Sequence, residues 1–135
     1  MPLALRNVVQ QHSTGCAIAA VAIIARRSYY EVVKLTSKFH RNDAFDLGLT
    51  NDQIVYALKR LGMRARKHND WNHRKPAILL FDWIPGDSDS ETHAMVWDPA
   101  FGGRFIDPSG SAYDCDWQRN LKLWKQSGKE TIEIR

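Results

Sequence analysis

Cys16 is the residue whose type and setting best suit it to nucleophilic chemistry. It follows Ser13-Thr14-Gly15 and opens the most apolar run of the chain, Cys16 to Ala25. A thiol at the start of a helix feels the positive end of the helix dipole and backbone N–H groups that lack intrahelical acceptors. Both favour the thiolate, which is the attacking form. Gly15 leaves room for a carbonyl to approach the backbone closely. The plainer reading is a cysteine packed as a small inert hydrophobe.

A thiolate that attacks a carbonyl needs a base that also protonates the leaving group, and the base needs a partner that fixes its tautomer. His93 and Asp107 are the candidates. Thr92–Trp97 and Arg104–Asp107 read as two strands joined by Asp98-Pro-Ala-Phe-Gly-Gly103. In an antiparallel hairpin centred on position 100, His93 and Asp107 lie opposite each other or within one residue of it. The same alternation puts Met95, Trp97 and Phe105 on their face, where an apolar helix could pack and desolvate the site. The plainer reading is an exposed strand histidine and a turn aspartate ahead of Pro108. Gln10, six residues before Cys16, offers an amide NH₂ that could join the Cys16 N–H in holding an oxyanion. Gln11 is its neighbour, and either glutamine could be a solvated loop residue.

The other reactive side chains fit chemistry less well. Cys115 stands between Asp114 and Asp116, whose charges disfavour a thiolate. His12, Cys16, His93 and Cys115 show no recognised zinc-ligand spacing. Asp87, Asp89 and Glu91 alternate but lack the ligand loop that calcium requires. His12, His40, His68 and His73 sit in polar surroundings and read as surface residues.

The elements that must position these groups follow from periodicity. Residues 16–26 are apolar on every side and predict a buried central helix. Ser28 with Glu31 forms a capping-box pattern ahead of Val32, Leu35 and Phe39, giving a second helix over about 29–39. Thr50 with Gln53 repeats the pattern. Ile54, Ala57, Leu58 and Leu61 then supply a helical stripe that Gly62 stops. From Pro76 to Ile84 a short apolar run between prolines reads as a buried strand, and residues 85–91 as a loop. Asp114 suits the cap of a helix over about 115–126, and Thr131 to Arg135 alternates like a short edge strand. Helices first and antiparallel strands second predict one α+β domain.

Composition sets the frame. The 135 residues are 44% hydrophobic and 25% charged, which suits one globular domain and excludes disordered and coiled-coil classes. Two cysteines cannot form a disulfide framework. The longest apolar run is about half the ~20 residues of a membrane span. The N-terminus lacks the pattern of a cleavable secretory signal, so a cytoplasmic location is expected. Residues 1–75 carry 13 cations against 5 anions, whereas residues 76–135 carry 6 against 10. Lys59, Arg60, Arg64, Arg66, Lys67, Arg74 and Lys75 form a basic cluster without interleaved aromatics, which reads as a solvated face rather than a nucleic-acid site.

Taken together, Gln10 separated by five residues from Cys16 at a helix start, two further helices closing with Lys59-Arg-Leu-Gly-Met63, His93, and Ile106-Asp107-Pro108 resemble the papain-like cysteine peptidases. Among these the pattern is most similar to the double-glycine leader peptidase domains at the front of bacterial bacteriocin-exporting ABC transporters. The likeness covers about residues 7–110. It departs at Gly15-Cys16-Ala17, where those domains typically show Asp-Cys-Gly.

The resemblance implies a papain-like α+β fold, with Gln10 as the oxyanion-hole residue, Cys16 as nucleophile, His93 as general base and Asp107 as its orienting partner. It further implies a thioester intermediate, a peptide, isopeptide or glutamine-carboxamide substrate, and neither cofactor nor metal. The alternative is a peptide-binding domain that keeps this scaffold without catalysis. A third class, a nucleic-acid binder using residues 59–75, requires steep salt dependence.

Overall fold

The computed structural model describes residues 5–11, 15–40, 48–68, 74–82, 92–106, 108 and 128–134, with the side chains of residues 81, 82, 92, 93, 101 and 128–130 outside the description. The helices are α1 (Cys16–Ala25), α2 (Tyr29–Leu35) and α3 (Asn51–Arg60), with single 3₁₀ turns at Ser37–His40 and Ala100–Gly102. The strands are β1 (Ala65–His68), β2 (Ala77–Asp82), β3 (Thr92–Asp98), β4 (Arg104–Ile106) and β5 (Gly128–Ile134). They form one antiparallel sheet in the order β1-β5-β2-β3-β4. The α+β architecture expected from the order of the elements is thus observed.

Helix α1 carries alanines at positions 17, 19, 20 and 22, all buried, so its backbone can lie close to the sheet. It packs on β3, where the facing residues Ala94 and Val96 are also small and fully buried. Ile18, Val21, Ile23 and Ile24 fill the space towards Val32 of α2, Ile54 and Leu58 of α3, and Ile78, Leu80, Ile106 and Ile132 of the sheet. Arg26 ends α1 in the left-handed region at φ 56°, and its N–H bonds back to the carbonyls of Ala22 and Ile23.

The caps of the next two helices differ in detail. In α3, Thr50 Oγ1 accepts from Gln53 N at 3.2 Å while Gln53 Oε1 accepts from Thr50 N at 2.9 Å, a complete reciprocal cap. In α2, Ser28 accepts from Glu31 N, and the Glu31 carboxylate pairs with Arg27 at 3.6 Å. The second helix is also shorter than expected. Thr36 Oγ1 bonds the carbonyl of Val32 at 2.8 Å, and the chain tightens into the 3₁₀ turn at Ser37.

Two corrections concern the sheet. Strand β1 was not expected, because Arg66 and Lys67 hide it within the basic cluster. Their charges are matched across the fold, Arg66 to Glu133 at 3.2 Å and Lys67 to Asp52 at 2.9 Å. In consequence β5 is a central strand between β1 and β2, not an edge strand, and Thr131 to Ile134 are buried. The expected helix over 115–126 lies outside the described residues, as does the loop 85–91. His40 and His68 are partly buried rather than freely exposed, and Nε2 of His40 is shut off from solvent.

The face of the sheet away from α1 holds a second cluster, Ala77, Leu79, Met95, Trp97 and Phe105. Trp97 and Phe105 are cross-strand partners with ring centroids 5.1 Å apart. The residue entering β4 must be glycine. Gly103 has φ 92°, and a Cβ there would lie 2.5 Å from Cζ2 of Trp97.

Glu133 also lies on the sheet face away from α1, 2% exposed, with Lys75 at 3.4 Å and Arg66 at 3.2 Å. Burial alone raises its carboxyl pKa, but the two cations outweigh that and hold it below the ordinary carboxylate value. A depressed carboxyl contributes stability above its unfolded pKa and loses it as pH falls through the folded one. Glu133→Gln should therefore cost about 1–2 kcal/mol at neutral pH, by urea unfolding. The difference from the parent protein should persist down to about pH 5 and shrink below about pH 4.

Candidate active site

Cys16 is the first residue of α1, with Gly15, which has no side chain to cap the helix, as N-cap. The first helical bond runs from Ala19 N to Gly15 O at 3.0 Å, so the N–H groups of Cys16, Ala17 and Ile18 have no intrahelical acceptor. No acidic residue stands in the first turn to offset the dipole. The sulfur is a free thiol, partly buried and packed against the edge of the main core. Packing of α1 on β3 brings this helix to the strand that carries His93.

His93 is the second residue of β3 and pairs with Phe81 of β2. Its side chain, and the whole of Asp107, lie outside the described residues. The β3–β4 ladder pairs Val96 with Ile106, Trp97 with Phe105 and Asp98 with Arg104. This hairpin is centred on position 101 rather than 100, because the 3₁₀ turn and Gly103 set its length. The position opposite His93 in this register is thus two residues past 107, where at most one was expected. The expected packing also differs, since α1 covers the Ala94 and Val96 face, whereas Met95, Trp97 and Phe105, whose face positions 93 and 107 were expected to share, form the cluster on the other side.

Gln10 lies in an irregular arm, residues 5–10, that leads towards α1. Its backbone N–H donates to the carbonyl of Pro108 at 2.8 Å, tying it to the segment that directly follows Asp107 in sequence. Its side-chain oxygen is buried. The neighbouring Gln11 is exposed and bonds the carbonyl of Val9 at 3.0 Å. Of the two glutamines, only Gln10 is both partly buried and joined to the end of β4.

The arm has an anchor that sequence reasoning missed. Asp98, the last residue of β3, is 2% exposed. Its Oδ2 accepts from Leu5 N at 2.9 Å and its Oδ1 from Ala100 N at 3.0 Å. Arg104 of β4 lies 3.6 Å from Oδ2 and donates to the carbonyl of Leu5. Leu5 is buried in the main core, and Val8 packs against it. The only local signal was an aspartate preceding a proline, which reads as a turn. Its partner at Leu5 is 93 residues away.

This arrangement matches a solved structure, a double-glycine motif protease from an AMS/PCAT transporter in complex with the leader peptide. The match has a TM-score of 0.59 and covers 97% of this chain and 92% of that one, at 13% identity. The chain has the papain-like peptidase fold. No protein-family model matches its sequence, and no curated protein matches it significantly. Within the papain-like fold the described residues include no helix long and apolar enough to cross a membrane. Nor do they include a cluster of three or more His, Cys, Asp or Glu side chains placed to hold a metal ion.

The anchor should be costly to remove. Asp98→Ala leaves the N–H groups of Leu5 and Ala100 without their buried acceptor, so unfolding free energy should fall by about 2–4 kcal/mol. Urea denaturation monitored by tryptophan fluorescence measures it. A loss under about 0.5 kcal/mol would mean that the carboxylate is dispensable to the fold.

Proposed function

We propose that this protein is a cysteine hydrolase acting on peptide or peptide-like bonds. In this reading His93 accepts the proton of Cys16, and the thiolate attacks the substrate carbonyl carbon. The resulting oxyanion is held by the Cys16 N–H and the Gln10 amide. His93 then protonates the leaving amine as the tetrahedral intermediate collapses to a thioester, and water, deprotonated by the same imidazole, releases the acid. Asp107 orients the ring.

The observation that carries the reading is the setting of Cys16: a free thiol on the first residue of a buried helix, in the fold of a solved double-glycine motif protease. The register of the β3–β4 hairpin is compatible with a His93–Asp107 pair, because diagonal neighbours two residues apart stay within reach of long side chains. The bond from Gln10 to Pro108 supports its membership of the same site. The solved structure of the same fold holds a leader peptide and is named for a double-glycine motif. We extend that to this chain as a preference for an extended peptide with small residues at the scissile bond.

A fluorogenic peptide ending in Gly-Gly-aminomethylcoumarin serves as probe. Turnover by the parent protein should disappear in Cys16→Ala, with the thermal midpoint unchanged within a few degrees, because one partly exposed sulfur is lost. One equivalent of iodoacetamide near pH 6 should label Cys16. Labelling of Cys115 in its place, with turnover intact in Cys16→Ala, would overturn the proposal.

A further inference from the structure

We infer that Asp98 and Arg104 are positioning residues for Gln10, acting through the arm of residues 5–10. The inference rests on the hydrolase reading above.

Gln10 belongs to no helix or strand, yet an oxyanion donor is effective only when held to within roughly half an ångström of its working position. What holds it is visible at both ends of the arm. At Leu5 the backbone is gripped from two sides, its N–H by Asp98 and its carbonyl by Arg104. At Gln10 the N–H is bonded to Pro108. The two grips fall at the start of β4 and just past its end, so the arm and β4 advance together in the same direction. Val8 packs on the core between them.

The charge at position 98 is not explained by stability alone. A carboxylate 2% exposed is expensive to desolvate, and an apolar side chain of similar size often stabilises a core at least as well. What the carboxylate does that an apolar group cannot is bind two backbone segments at once, the turn at Ala100 through Oδ1 and the arm at Leu5 through Oδ2. Asp98 and Arg104 are themselves cross-strand partners in the β3–β4 ladder, so the grip is built on the rigid sheet. Through it the position of the hairpin is transmitted to the residue six places before the nucleophile.

Arg104→Ala provides the test, because its side chain is half exposed and truncation leaves the core intact. Asp98→Asn, which keeps shape and loses one acceptor, is the second variant, and Arg104→Lys the conservative control. Amide hydrogen exchange reads the arm without reference to activity. Exchange at the Gln10 N–H should rise at least tenfold in Arg104→Ala and Asp98→Asn, and return towards the parent rate in Arg104→Lys. Acceleration confined to Leu5, with Gln10 N–H still protected, would overturn the inference whatever the turnover.

With the fluorogenic Gly-Gly peptide, Arg104→Ala should lower kcat about tenfold and leave KM within twofold. The rate of Cys16 alkylation should not change, since alkylation needs no oxyanion site. Combined with Gln10→Ala, it should cost nothing more than Gln10→Ala alone, whereas additive losses would overturn the inference. If the parent shows no turnover while the exchange result holds, the hydrolase reading falls and the coupling of the arm to Asp98 and Arg104 stands.

Discussion

The site depends on one packing interaction, the contact of α1 with β3. Helix and strand can approach closely because α1 carries buried alanines at positions 17, 19, 20 and 22 and β3 offers Ala94 and Val96. Cys16 and His93 are 77 positions apart in sequence, and it is this buried apolar seam that brings the helix of the one to the strand of the other. Burial of the seam supplies stability in the ordinary way. Its functional consequence is geometric.

Around that seam the polar groups act as fasteners between segments distant in sequence. Asp98 ties the turn after β3 to the arm before α1. Glu133 ties β5 to Arg66 on β1 and to Lys75 ahead of β2. Lys67 ties β1 to the first turn of α3. Three members of the basic cluster thus serve internal pairs, so the charge excess of the first half of the chain overstates what the surface offers to an anionic partner. The Asp98 fastener bears on the site, since it governs the arm that carries Gln10.

Much of this was legible in the sequence wherever the signal was local. The apolar run from Cys16 specified a buried helix and placed the thiol at its first residue. Thr50 with Gln53 specified a reciprocal cap, and the apolar stretch after Pro76 specified a strand. What was not legible depended on partners far along the chain. Ala65-Arg-Lys-His68 carries no alternation of hydrophobicity, because its charges are satisfied by Glu133 and Asp52, and the strand was missed. Without β1 to cover it, β5 read as an edge. Asp98 read as a turn residue because nothing near it hints at Leu5. The β3–β4 register was displaced by one residue at its centre because the 3₁₀ turn and the left-handed Gly103 cannot be counted from hydropathy. The resemblance carried by Gln10, Cys16, His93 and Asp107 pointed to the fold that the structure has.

The most direct measurement is a crystal structure with Cys16 captured by a peptidyl Gly-Gly aldehyde. The account predicts a thiohemiacetal on Cys16, an imidazole nitrogen of His93 within about 4 Å of the sulfur, and the former aldehyde oxygen between the Cys16 N–H and the Gln10 amide. An imidazole directed away from the sulfur, with other side chains filling the space between them, would contradict it.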